Sequence, residues 1–117
     1  MVNVQYNKLG FYKKSYDLSL LIYKIEFPKH ELYGLQSQIR RCATSVPLNV
    51  AEGTGRSTMK DFKSFLYNAL GSCRELEVLL KLAFDLNYIK LETYTHLNKE
   101  LYEVTGKLIN YMKTINP

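Results

Sequence analysis

QIRRCATSVPLNVAEGTGRS, residues 38–57, decides how the chain is read. Together with Leu35, its apolar residues Ile39, Cys42, Ala43, Val46 and Val50 fall on one face of an α-helix. That spacing passes through Pro47 without losing phase, which predicts one helix over about 35–54. Proline inside a helix deletes the hydrogen bond to the carbonyl four residues back, here that of Ala43. The cost is about 3 kcal/mol unless packing compensates, so a bend is expected there. The rival reading starts a new helix at Pro47, with Ser45 or Val46 as its cap. Gly53 and Gly55 can adopt the left-handed conformation that ends a helix. Ser57 or Thr58 can cap the next helix, with Asp61 near its positive end. The interrupted stretch therefore reads as a hairpin between two long helices.

Working outward, Phe62, Leu66, Ala69, Cys73, Leu76, Leu80 and Ala83 alternate steps of four and three, the seam of a bundle helix over about 58–86. Asn87 is expected to end it. Tyr94, Leu97, Leu101, Val104, Leu108, Tyr111 and Ile115 repeat the pattern over about 91–115. Before the hairpin, Phe11, Leu18, Leu21, Ile22 and Ile25 form the buried face of a helix over about 8–27, stopped by Pro28. PKHELYG, residues 28–34, is a connector. Period-two alternation is nearly absent. Short connections imply antiparallel neighbours, so the expected fold is all-α, an up-down-up-down four-helix bundle occupying 1–117 as a single domain.

The 117 residues are enough for one sizeable core, and 46% hydrophobic with 23% charged residues argues against disorder. No apolar run approaches a membrane span and no signal-peptide pattern is present, which predicts a cytoplasmic protein without membrane partners. Cys42 and Cys73 lack metal-ligand spacing and read as small buried hydrophobes. Neither His30 nor the Glu92–His96 pair has companion ligands, so no metal or cofactor is expected. EGTGRST lacks the spacing and lysine of a phosphate-binding loop. Ser57-x-x-Lys60 lacks every companion motif of the serine enzymes that use that pattern. An enzyme is the least supported class.

At about 100° per residue, Gln38, Arg41, Ser45, Asn49, Glu52 and Arg56 project within about 80° of one another, a polar seam beside the apolar face. Folding the hairpin about 56–57 sets residue 42 beside 72 and 45 beside 69. Ala43, Ser45, Ala69, Gly71 and Ser72 then form a patch where two backbones could approach, and Arg41 comes within reach of Glu75. Buried polar groups need partners. The seam is either satisfied inside the protomer, fixing helix register, or completed by another chain.

QIRRCATSVPLNVAEGTGRS followed by FLYNALGSCRELEVLL resembles the bacterial four-helix bundle proteins encoded in 23S ribosomal RNA intervening sequences. The likeness covers about 15–112 and rests on Arg40–Arg41, the Ser45–Gly53 segment, Arg56, and Ala69 to Ser72 with Glu75–Leu76. Cys42 and Cys73 stand where that pattern favours small residues such as alanine. The resemblance implies a protomer that assembles into a ring-shaped homopentamer. It also implies a relationship to the accessory protein of diversity-generating retroelements, which binds nucleic acid and pairs with a reverse transcriptase.

The chain carries a net charge of +5, and the excess sits in its middle third. Lys60, Lys63, Tyr67, Arg74 and Lys81 fall within about 60° of each other on a face away from the seam of their helix, a stripe read as free of acids. Basic side chains neutralise phosphates and tyrosine can stack on an unpaired base, so this stripe with Arg56 is the candidate surface for RNA or DNA. An ordinary solvated face fits the same residues. Arg56 precedes the amino terminus of its helix, where a phosphate could sit; it could equally cap the preceding helix or pair with Glu52. The expected function is a non-enzymatic homo-oligomeric scaffold binding RNA or DNA. The alternative is a protein–protein adaptor that docks a nucleic-acid enzyme, such as a reverse transcriptase, through the polar seam or a ring surface.

Overall fold

A computed structural model describes residues 2–115. Four helices follow one another: α1 (Gly10–Tyr23), α2 (Leu35–Thr54), α3 (Met59–Asp85) and α4 (Leu91–Lys113), with short 3-10 turns at Tyr6–Lys8 and Lys29–Glu31. Each helix packs on the next, and α4 returns to α1. Side-chain pairs establish the directions. Cys42 meets Ser72 across α2 and α3; Phe62 meets Tyr111 and Phe84 stacks on Tyr94 across α3 and α4; Phe11 meets Tyr111 while Lys14 meets Glu103 across α1 and α4. Successive helices are therefore antiparallel, in a rod of 45 × 25 × 20 Å.

The apolar seams read from the sequence converge on its axis. Ile22, Ile39, Val50, Phe62, Leu66, Leu80, Val104 and Leu108 expose no surface, and burial of each such side chain stabilises the fold by about 1.5–3 kcal/mol. Pro47 is buried inside an unbroken α2, so the continuous reading of that helix holds. Ser15, Ser19 and Thr105 sit among the apolar side chains because each hydroxyl donates to a carbonyl one turn back, at 2.8, 3.0 and 2.9 Å. This local bond removes the cost of burying the hydroxyl.

The first helix ends at Tyr23 instead of running to 27. Lys24 and Ile25 close it with bonds to the carbonyls three residues back, Leu21 and Ile22. The chain then leaves the helix, Ile25 stays buried, and Phe27 reaches the ring of Tyr88 edge-on at 6.0 Å. At the other boundary, Ile115 is buried just beyond the end of α4.

The hairpin uses its glycines differently from the expected way. Neither Gly53 nor Gly55 has a positive φ; Gly55 sits at φ −86°, and the turn closes through Gly55 N–H to Glu52 O and Arg56 N–H to Gly53 O. Gly53 is instead a packing residue: a Cβ there would lie 2.9 Å from both Phe62 Cδ1 and Phe65 Cβ. Thr58 caps α3, its Oγ1 accepting from Asp61 N–H at 3.1 Å. Gly71, placed in the close-approach patch, has open space beside it.

Asn87 takes the left-handed conformation, φ 63°, and ends α3. Tyr88 N–H reaches Ala83 O and Asn87 N–H reaches Phe84 O, the paired bonds of a Schellman termination. That turn aims Tyr88 across the end of the bundle. Its hydroxyl donates to Glu31 Oε2 at 2.7 Å, while Glu31 Oε1 accepts from Leu35 N–H at 3.0 Å at the start of α2. The Leu35 amide, then the Tyr88 hydroxyl, hold the Glu31 carboxyl below the ordinary carboxylate range. One carboxylate thus ties two connectors together.

Candidate nucleic-acid interface

The α3 stripe follows from helical spacing, and its outward course places it along the groove between α3 and α4. At one end Lys63 and Tyr67 face Ile109, Met112 and Lys113 across a hollow of about 220 Å³ that no acid lines. Tyr67 is 58% exposed and Lys60 is exposed beside it. Lys63 Nζ donates to Ile115 O at 3.3 Å, which anchors its position. Further along, Lys81 and Val78 face Tyr94, Asn98 and Tyr102 across a second hollow of about 370 Å³, where Glu77 also contributes.

This half of the stripe differs from expectation. Lys81 Nζ pairs with both oxygens of Asp85 at 2.8 Å, and Arg74 approaches Glu77 at 3.5 Å. Asp85 lies about seven helical turns after Lys60 and so falls on the same face. The stripe therefore does contain an acid. The hydrogen bond that Lys81 donates to Asp85 raises the Lys81 pKa, which keeps its ammonium charged but opposed by a neighbouring carboxylate. Free positive charge is concentrated at the hairpin end, around Lys60, Lys63 and Lys113. Arg56 lies there too, yet it neither pairs with Glu52 nor occupies the helix cap. Its guanidinium rests on the Phe65 ring at 4.6 Å, leaving its edges open to solvent.

The polar seam divides in two. Ser45 Oγ lies 2.7 Å from Cys42 O and 2.5 Å from Ser72 Oγ, and Asn49 Nδ2 donates to Ser45 O at 2.7 Å. These half-buried members are satisfied within the protomer. Gln38, Arg41, Glu52 and Glu75 are exposed, and among the described residues no side-chain hydrogen bond or ion pair holds them. Arg41 and Glu75, which the folded hairpin was expected to bring within reach of each other, are both exposed, and among the described residues no ion pair joins them. Cys42 and Cys73 are buried and free. Burial pushes the Cys42 thiol up to about 12 and the Cys73 thiol up to about 11, with Glu75 adding to the effect on Cys42. Cys42 Sγ donates to Ser72 O at 3.2 Å across the hairpin. Among the described residues no group of three His, Cys, Asp or Glu side chains gathers as a metal site requires.

A family model for the 23S rRNA-intervening sequence protein matches residues 7–110, from ahead of α1 to the last turn of α4. The chain belongs to this family. A solved structure from Bacteroides thetaiotaomicron, of a protein of unknown function from the S23 ribosomal protein family, is similar in fold with a TM-score of 0.81. It is 28% identical, and the alignment covers 88% of this chain and 98% of that one. No curated protein matches the chain. Among the described residues no helix is long and apolar enough to cross a membrane.

The segments that carry the family likeness occupy two settings. Ser45, Pro47 and Gly53 hold α2 against its neighbours, whereas Arg40 and Arg41 reach the surface between α1 and α2. Two surface features escaped the sequence reading. One is an apolar groove of about 430 Å³ between α1 and α2, bordered by Tyr6, Tyr12, Tyr16, Leu20, Pro47 and Leu48. The other is the arginine–tyrosine cleft beside it, where Arg40 Nη2 donates to Tyr23 O at 3.1 Å and the guanidinium lies 4.7 Å over the Tyr23 ring. The signal for the groove was an excess of tyrosine over what the seams absorb. The cleft joins residues 17 apart across a turn, which periodicity does not address.

Proposed function

We propose that this family member is a non-enzymatic, cytoplasmic, homo-oligomeric scaffold that binds RNA or DNA through the hairpin end of the α3–α4 face. The observation that carries the reading is the acid-free hollow in which Lys63 and Lys113 flank the exposed ring of Tyr67, with Lys60 and Arg56 beyond it. Phosphates attract such a cluster irrespective of base sequence, and counterion release adds to the affinity. An exposed ring between cations suits an unpaired base. The family resemblance supports a pentamer, in which five copies would concentrate the net charge of +5 on one particle. The groups best suited to covalent chemistry have structural places: both thiols are buried and protonated at neutral pH, and His30 lies 3.3 Å from the Tyr88 hydroxyl.

The test is mixed-sequence RNA binding by the variants Lys60→Glu/Lys63→Glu and Lys81→Glu. The first pair should weaken binding about ten-fold or more and the second should weaken it little, because Asp85 already offsets Lys81. Unchanged affinity in the first pair would refute this surface. A second reading, an adaptor for another protein such as a nucleic-acid enzyme, draws on the α1–α2 groove, where Tyr16, Leu20 and Leu48 are half or more exposed beside an apolar hollow. It requires a defined protein that co-purifies after nuclease treatment.

A further inference from the structure

We propose that the cleft between the end of α1 and the first half of α2 is a separate site for one unpaired nucleotide, its base on the ring of Tyr33 and its phosphate on Arg40 and Arg41. The cleft is an open one of about 490 Å³, bordered by Tyr23, Tyr33, Ser37, Arg40, Arg41 and Thr44. No carboxylate lines it. Glu31, in the connector just before α2, is held by Leu35 N–H and the Tyr88 hydroxyl.

Two independent features point to this ligand. Tyr33, in the turn before α2, is 93% exposed, and among the described residues its ring has no aromatic neighbour. A phenol ring held fully in water beside a positively charged cleft is a platform for stacking. The second feature is the state of the arginines. Arg40 is oriented in advance: its guanidinium is spread on Tyr23 and Nη2 is fixed by the Tyr23 carbonyl. The group is thus held in place with no carboxylate beside it, and a phosphate supplies the opposite charge and acceptors for its N–H groups that face the cleft. Arg41 adds a second guanidinium that no acid pairs with among the described residues. Ser37, in the first turn of α2, brings a hydroxyl to the same cleft near the positive end of the helix dipole.

Stacking on Tyr33 requires a base freed from a duplex, so the ligand class is single-stranded nucleic acid. Packing in the order α1, α2, α3, α4 and back to α1 puts this cleft on the side opposite the α3–α4 face. It therefore does not rest on the function proposed for that face.

The experiment measures fluorescence anisotropy of labelled hexathymidylate and of an abasic hexamer at low salt, with the full chain carrying Lys60→Glu/Lys63→Glu to silence the other surface. Tyr33→Ala should weaken hexathymidylate by about five-fold or more and leave the abasic hexamer unchanged. Tyr33→Phe should retain wild-type affinity, and Arg41→Ala should weaken both probes. Equal affinity of Tyr33→Ala and its parent for hexathymidylate would overturn the proposal. So would a Tyr33→Ala variant that changes the sedimentation coefficient and not the affinity, since the ring would then be a subunit contact. Should the charge-reversed background fail to fold, photocrosslinking of a 4-thiouridine hexamer to the unmodified protein decides the matter. Adducts on Tyr23 or Tyr33 support the site, and adducts confined to Tyr67 refute it.

Discussion

Replacing Gly53 by alanine tests the hairpin most sharply, because two opposing effects compete there. A Cβ at position 53 would lie 2.9 Å from Phe62 Cδ1, 2.9 Å from Phe65 Cβ and 3.4 Å from Phe62 O. None of these atoms can swing away. The Phe62 ring exposes no surface, and the Phe65 Cβ is bonded directly to the backbone of α3. Relief requires α2 and α3 to part by several tenths of an ångström, and overpacking of this kind costs about 1–3 kcal/mol. Alanine recovers about 0.5–1 kcal/mol through its helical preference. Packing wins, for a net loss of about 1–2 kcal/mol and a fall in Tm of roughly 3–10 °C by differential scanning calorimetry. Gly71→Ala is the counterpart, since a Cβ there meets nothing within 4 Å in the middle of α3. It should stabilise the protein by about 0.5–1 kcal/mol. A Gly53→Ala protein as stable as the parent would refute the close approach of α2 and α3 at the turn.

Thr58→Ala removes the acceptor for Asp61 N–H and should lower stability by about 1 kcal/mol in urea titration, with the denaturant slope unchanged. The Glu31 carboxyl is depressed in the folded protein, so its contribution is complete above the ordinary carboxylate range and is lost as pH falls through that range. Glu31→Gln should therefore lower Tm at neutral pH and flatten the decline of Tm between about pH 5 and 3. Cys42 and Cys73, buried and with raised pKa values, should react with Ellman's reagent at pH 8 only on unfolding; a fast stoichiometric reaction of the native protein would contradict their placement.

Most of the bundle was legible because steps of three and four persist through all four seams. Even Pro47 declared its place by staying in phase with Ala43, Val46 and Val50. What the sequence left undecided has physical causes. Glycine composition does not distinguish a residue needed for left-handed backbone from one needed for the space a Cβ would fill, and Gly53 is of the second kind. Pro28 restricts only Phe27 before it, so nothing local announced that α1 would stop at Tyr23 and leave Ile25 and Phe27 to pack from non-helical backbone. The Glu31–Tyr88 bond spans 57 residues and arises from the meeting of two connectors. For the candidate interface, spacing placed Lys60, Lys63 and Tyr67 on one side of α3. The same arithmetic carried seven turns further would have found Asp85, which shifts the free charge toward the hairpin end.

The central functional claim is that a cationic surface of this bundle engages phosphates, and the dependence of RNA affinity on salt tests it most directly. Titration of mixed-sequence RNA between about 50 and 200 mM salt should give log K falling linearly with log salt, with a slope that becomes shallower in Lys60→Glu/Lys63→Glu. A flat dependence, or absence of binding at the lowest salt, would contradict the account.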